Sequence, residues 1–252
     1  MNQLYMISFS PTGTSRRVAE GIAEAFSNEK TIVDLCEETV GETQIGKEDI
    51  CIFSAPCYGG RIPQTAAERL SHIHGEQTPA IVLITFGNRA FEDALLELAD
   101  SVEKNGFGVI AGCTVSAEHN IMHIFGQGRP DGLDWKEIRR FSNAAAEKIK
   151  AGETERPLLP GSRPYKERHG GKPPILVNEK TCVKCGLCAQ KCPVKAISPD
   201  GRHLKDELCI ACMRCIQLCP QNSRSIPKTY VDGLIQRLGD ACRERKRNEF
   251  YL

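Results

Sequence analysis

Eight cysteines carry the most specific chemistry in this chain. Cys182, Cys185, Cys188 and Cys192-Pro193 spell C-x2-C-x2-C-x3-C-P, and Cys209, Cys212, Cys215 and Cys219-Pro220 spell it again 27 residues later. Three cysteines at i, i+3 and i+6 on a tight turn converge on one iron–sulfur cubane. The fourth, read as starting a short helix, points away and ligates the other cluster. The spacing therefore predicts two [4Fe–4S] clusters with crossed ligation. One set is Cys182, Cys185, Cys188 and Cys219, and the other is Cys209, Cys212, Cys215 and Cys192. Zinc fits poorly, because structural zinc sites gather four ligands as two separated pairs. Val183, Leu187, Ile210, Met213, Ile216 and Leu218 lie between the ligands and are expected to shield the clusters.

The remaining five of the 13 cysteines show no ligand spacing. Cys36, Cys51 and Cys113 fall in or beside apolar runs and read as small core residues. An odd total in a chain without a recognisable export signal argues for metal or redox chemistry over disulfides.

A second constellation lies near the other end. Ser10-Pro11-Thr12-Gly13-Thr14-Ser15 sits where an apolar run gives way to a helical pattern. Backbone N–H groups at such a helix start, with nearby hydroxyls, suit a terminal phosphate. The loop has no lysine and is neither G-x4-G-K-[ST] nor G-x-G-x-x-G. Two further loops accompany it. Pro56-Cys57-Tyr58-Gly59-Gly60 offers one aromatic face among small residues, so that backbone can approach a flat ring. Gly87-Asn88-Arg89 offers backbone groups and an amide to a ring edge, while Arg89 has two readings, a contact to the ring or a pair with an acidic neighbour. Cys57 reads as a tight-packing residue, His119 as a surface-loop histidine and Trp135 as helix core.

The elements that must position these loops are legible as alternating patterns. Strands are expected at Leu4–Phe9, Thr31–Leu35, Asp49–Ala55, Ala80–Phe86 and Gly108–Val115, and helices at Arg16–Phe26, Gln64–Ile73, Phe91–Lys104 and Asp134–Lys150. Glu37–Lys47 reads mostly as loop. Five strands with interleaved helices mean an α/β doubly wound parallel sheet covered on both faces. In the order 2-1-3-4-5, the three loops leave the carboxyl ends of the strands around the switch point, where such sheets bind ligands. The expected layout is a nucleotide-type domain over 1–152, a linker or irregular surface wrap over 153–174, a small α+β cysteine-rich domain over 175–228, and a C-terminal amphipathic helix over 229–252 with a solvated charged end.

Of the 252 residues, 40% are hydrophobic and 26% charged, the balance of a globular protein. The net charge of +1 hides an asymmetry, since residues 1–155 hold 14 basic and 23 acidic side chains (−9) and residues 156–252 hold 19 and 9 (+10). Either the basic half holds something anionic, or the two halves attract one another. No apolar run approaches the ~18 residues of a membrane span. A cytoplasmic location with no membrane and no nucleic-acid partner is expected.

On these residues the C-terminal half resembles bacterial two-cluster ferredoxins over about fifty residues. The N-terminal half resembles flavodoxin, whose [ST]-x-T-G-x-T phosphate loop matches Ser10–Ser15 with serine in the last place. That resemblance implies FMN, held by the 10–15, 56–60 and 87–89 loops with Tyr58 stacked on the ring. No second aromatic stands at Asn88-Arg89, so one face of the ring would be open or covered by the rest of the chain. The whole chain resembles the fused flavodoxin–ferredoxin family of anaerobic microbes. The family implies a redox protein that relays electrons between its clusters and FMN and exchanges them with donor and acceptor proteins. Reduction of a small-molecule acceptor by an FMN enzyme is the alternative, and a sensor or assembly protein a third. No acid, base or nucleophile constellation stands out, and no nicotinamide-binding loop is recognisable.

Overall fold

The structure, a computed structural model, describes residues 3–27, 29–37, 41–168 and 171–252. The first elements are β1 (Leu4–Ser8), α1 (Thr14–Ala23), β2 (Lys30–Asp34), β3 (Thr43–Ile45), β4 (Ile50–Pro56), α2 (Gln64–Leu70), β5 (Ile73–Gly75), β6 (Thr78–Phe86), α3 (Ala94–Lys104), β7 (Phe107–Ser116) and α4 (Gly132–Lys150). Strands β2-β1-β4-β6-β7 lie side by side and parallel. This is the order 2-1-3-4-5, with β4, β6 and β7 as third, fourth and fifth.

The central strands are apolar on both faces because both faces are covered. Six of the seven residues of β4 are buried, as are eight of the nine in β6. On one side Val18, Ala19 and Ile22 of α1 and Ile138 and Phe141 of α4 pack on Met6, Ile52 and Leu83. On the other, Leu70 of α2 and Leu95, Leu98 and Val102 of α3 pack on Phe53, Val82 and Ile84. Trp135 lies against the first of these layers, with Arg17 over its ring at 5.9 Å. Cys36, Cys51 and Cys113 are buried core residues. The segment read as loop over 37–47 contains β3, which pairs in parallel with β5; Glu38, Thr39 and Val40 lie outside the described residues.

The stretch after α4 is a surface wrap. It crosses α3 and the turn before it, where several carboxylates meet its basic residues. Arg156 and Arg163 pair with Asp100, Arg168 with Glu97, and Lys166 with Glu92. Asp93 accepts the backbone amides of Ser162 (2.9 Å) and Lys166 (2.7 Å). Leu159 closes the core beneath. The opposite charges of the two halves thus meet along this seam. His169 and Gly170, within the expected linker, lie outside the described residues.

The cysteine-rich part contains β8 (Leu176–Val177), α5 (Leu187–Gln190), α6 (Arg214–Gln217) and β9 (Arg224–Ser225). β8 and β9 pair antiparallel. The two short helices contain the third cysteine of each motif, Cys188 and Cys215, and the fourth follows the helix end. This corrects the expectation that the fourth cysteine starts a helix.

The tail forms α7 (Lys228–Arg243), whose Leu234, Ile235, Leu238 and Cys242 pack on Met122 and Phe125. Its charged end is exposed, as expected, yet it is also tied down. Arg245 pairs with Asp131 and Asp134, and the chain continues as β10 (Glu249–Tyr251), antiparallel to β7. The signal for β10 is three residues long, too short for a period to show. No helix among the described residues is long and apolar enough to cross a membrane.

Candidate cofactor sites

The two cysteine motifs fold alike at the backbone. Lys184 and Ala211, Gly186 and Met213, and Lys195 and Asn222 all have positive φ, between 48° and 71°. Each pair is separated by the 27-residue repeat. Left-handed residues between ligands curl the chain so that successive N–H groups face inward, a concavity suited to an anionic centre. Amides already reach sulfur in this way: Ala196 to Cys192 (3.3 Å), Ala211 to Cys209 (3.4 Å) and Ser223 to Cys219 (3.2 Å).

The cysteines gather in two groups of four. Cys182, Cys185, Cys188 and Cys219 line one cavity, and Cys192, Cys209, Cys212 and Cys215 line another. Each group draws three cysteines from one motif and the fourth from the other, the grouping the spacing predicts. Among the described residues no three His, Cys, Asp or Glu side chains close on a point where a single metal ion would sit. Four cysteine thiols around one cavity are the donor set that a cubane takes. Met213 is buried beside the second cavity; Val183, expected as a shield, lines the first but is 62% exposed.

At the other site Gly13 is left-handed (φ 84°) at the start of α1 and, as the N-cap residue, brings no side chain to the helix end. A Cβ at Gly13 would meet nothing within 4 Å, so the space before the helix start is open. Ser10 Oγ accepts the Arg16 amide (3.0 Å) and stiffens the loop. Ser15 is buried, and its hydroxyl shares a hydrogen bond with Thr85 (2.7 Å). A cleft runs from this loop past Pro56, Cys57 and Tyr58 to Thr85, Phe86 and Gly87, and on to Glu118, His119 and Asn120.

Gly59 and Gly60 are both left-handed, making the turn that pairs Tyr58 with Arg61. A Cβ at Gly60 would lie 1.7 Å from the Glu92 carboxylate, so the turn admits no side chain there. Cys57 Sγ points at the carbonyls of Ala90 and Phe91, and burial pushes its thiol up to about 12. It is a packed thiol, as read from the sequence. Burial also pushes the Tyr58 phenol well up, with the Cys212 and Cys36 thiols adding to the effect.

Asn88 and His119 differ from their first reading, and Arg89 takes one of its two. The side chain of Asn88 is buried and committed elsewhere, since its amide bonds the carbonyls of Cys242 and Glu244 and its oxygen accepts from Ser116, Arg129 and Lys246. It has no donor left for a ring edge. Arg89 takes the acidic neighbour, Glu92, at 3.1 Å. His119, read as a surface histidine, lines the cleft instead and backs Gly87. Its Nδ1 accepts the amides of Ile121 and Met122 (both 3.1 Å), which puts the proton of the neutral ring on Nε2. Burial pulls its pKa down to about 4.

The two sites adjoin. Gln217 of α6 donates to the carbonyl of Thr12 (3.2 Å), and Arg69 donates to the carbonyl of Pro193 (2.6 Å). Lys191 pairs with Glu37 (3.2 Å). Met213 and Ile216 form one wall of a broad cleft whose other wall includes Thr12, Gly13 and Thr14.

Residues 175–198 match the 4Fe-4S binding domain family. The match covers the first of the two cysteine motifs. Among solved structures, the N-terminal part is similar to rubredoxin oxygen:oxidoreductase from Desulfovibrio gigas, at 15% identity and a TM-score of 0.42 over 60% of this chain and 37% of that one. It is similar to flavodoxin 2 from Bacillus cereus, at 16% identity and 0.42 over 58% of this chain and 99% of that one. It is also similar to the Fusobacterium nucleatum flavodoxin bound to flavin mononucleotide, at 15% identity and 0.41 over 61% and 99%. This chain therefore spans well under two thirds of the Desulfovibrio protein. No curated protein matches.

Proposed function

We propose that the chain is an electron carrier that holds one FMN and two [4Fe–4S] clusters and exchanges electrons with donor and acceptor proteins in the cytoplasm. Clusters pass one electron at a time and flavin holds one or two, so the set couples one-electron to two-electron partners. The observation that carries this reading is the shared wall. Arg214, next to two cysteines of the second cavity, lines both that cavity and the cleft beside Ser10–Gly13.

The chain's own residues have distinct parts in it. Cys182, Cys185, Cys188 and Cys219 would hold one cluster, and Cys209, Cys212, Cys215 and Cys192 the other. The left-handed turns aim amides at their sulfurs. Backbone amides of Thr12–Ser15 would hold the FMN phosphate at the helix start, and Tyr58 would stack on the ring. Neutral His119 offers its Nε2 proton to the same cleft. Contacts such as Gln217 to Thr12 hold the second cysteine set toward the flavin loops, which replaces a diffusional encounter by a fixed approach. The first set, with Val183 exposed, faces outward and would meet a protein partner. The layout follows as a flavin domain over 1–152, a wrap over 153–174, a two-cluster domain over 175–228 and a clasp over 229–252.

A broad cleft between α6 and the Thr12–Thr14 loop favours a second reading, in which a small oxidised molecule enters there and takes electrons from the flavin. Reducing the reconstituted protein and following its reoxidation by small acceptors and by flavodoxin-dependent enzymes separates the two. Fast, saturable turnover of a small molecule would establish the second.

A further inference from the structure

Arg214 stands between Cys212 and Cys215 and opens α6. Its Nε and Nη1 are buried and have no hydrogen-bond partner. Arg214 as a whole is half-buried, but donors of a charged group held out of water are costly unless an anion completes them. The side chain lines the cleft of Ser10, Thr12 and Gly13, beside the open space at the start of α1.

The one other cation lining that cleft among the described residues is Arg16, which has a partner of its own. The loop contains no lysine. Arg16 is paired with Glu20 (3.0 Å), and Arg17 lies over Trp135. Asp34, the carboxylate lining this cleft, accepts the amide of Cys36 (2.8 Å) and forms no ion pair with Arg214. A phosphate monoester there would meet backbone dipoles from the acidic half of the chain and one unpartnered guanidinium from the basic half.

We propose that Arg214 completes the FMN phosphate site from the iron–sulfur domain. This rests on the FMN reading above and adds a residue that lies two hundred positions from the phosphate loop. The consequence is coupling: seating the cysteine-rich part supplies a donor for the phosphate, and the bound phosphate holds that part in place, by the reciprocity that any linked pair of equilibria obeys. Arg214 is a binding residue for the cofactor and has no role in the electron chemistry itself.

The test compares FMN with riboflavin, which lacks the phosphate. The full chain is reconstituted anaerobically, and each flavin is titrated by fluorescence quenching into wild type, Arg214→Met and Arg214→Lys, with iron content read in parallel. A lost charge-assisted hydrogen bond is expected to weaken FMN on the order of ten- to a hundredfold in Arg214→Met. Riboflavin affinity and iron content should stay unchanged, and Arg214→Lys should fall between. An FMN-to-riboflavin ratio equal to that of wild type in Arg214→Met overturns the proposal. So does an equal loss of both flavins or a loss of iron, which would assign Arg214 to the cluster or the fold. A wild-type chain that binds neither flavin overturns the FMN reading itself.

Discussion

Asn88 donates its side-chain amide to the carbonyl of Cys242 across 2.6 Å, joining residues 154 positions apart. The same amide reaches the Glu244 carbonyl (2.9 Å), and the Asn88 oxygen accepts from the Lys246 amide (3.1 Å). The loop at the end of β6 thus clasps the segment between α7 and β10. Arg129 extends the clasp, holding Asp134 in a buried pair at 2.7 Å and donating to the carbonyl of Lys246.

Removing this amide should loosen the C-terminal clasp. Asn88→Ala leaves the buried Ser116 hydroxyl and the Cys242 carbonyl without these partners, a loss of about 2–6 kcal/mol at ~1–3 kcal/mol per orphaned group. The urea midpoint should fall accordingly. An unchanged midpoint would mean that solvent replaces these bonds freely.

Tyr58→Ala should weaken FMN. Aromatic stacking contributes about 0.5–1.5 kcal/mol beyond burial, so the dissociation constant should rise severalfold or more, while Tyr58→Phe stays near wild type. Equal FMN affinity of wild type and the alanine variant, on titration, would remove Tyr58 from the site.

Crossed ligation makes opposite predictions for the two fourth cysteines. Cys219→Ala should damage the cluster of Cys182, Cys185 and Cys188, and Cys192→Ala that of Cys209, Cys212 and Cys215. Electron paramagnetic resonance of the reduced variants reads which centre survives. Loss of the centre within the same motif would show uncrossed ligation.

His119 gives the fold a pH dependence with a defined sign. Its pKa falls from 6.5 to about 4 in the folded chain because burial disfavours the charged ring. The unfolded chain therefore binds more protons between these values, and stability rises with pH across that window. Acidification from about pH 6.5 to 4 should cost up to about 3 kcal/mol through this residue. His119→Gln should flatten that part of the curve; a curve parallel to that of wild type would show that His119 does not carry the effect.

Features written in local pattern were legible before the structure, and features made by distant contacts were not. The runs that became β4 and β6 are continuous apolar stretches because both their faces are covered, and the eight cysteines announce themselves by spacing. The fate of Asn88 could not be read, because its partners arrive from Cys242, Glu244 and Lys246. Arg245, in what reads as a solvated charge run, finds Asp131 and Asp134 at the start of α4. His119 gave no signal either: its place in the cleft depends on the turn at 121–125 folding back beneath it. Arg214 carries no signal of its own, because the motif around it is defined by the spacing of the cysteines on both sides.

The most direct test of the account is the composition of the purified chain after anaerobic reconstitution with iron, sulfide and FMN. Two [4Fe–4S] clusters and one flavin require about eight iron, about eight sulfide and one FMN per chain. Half that iron, zinc in its place, or a chain that releases FMN on gel filtration would contradict it.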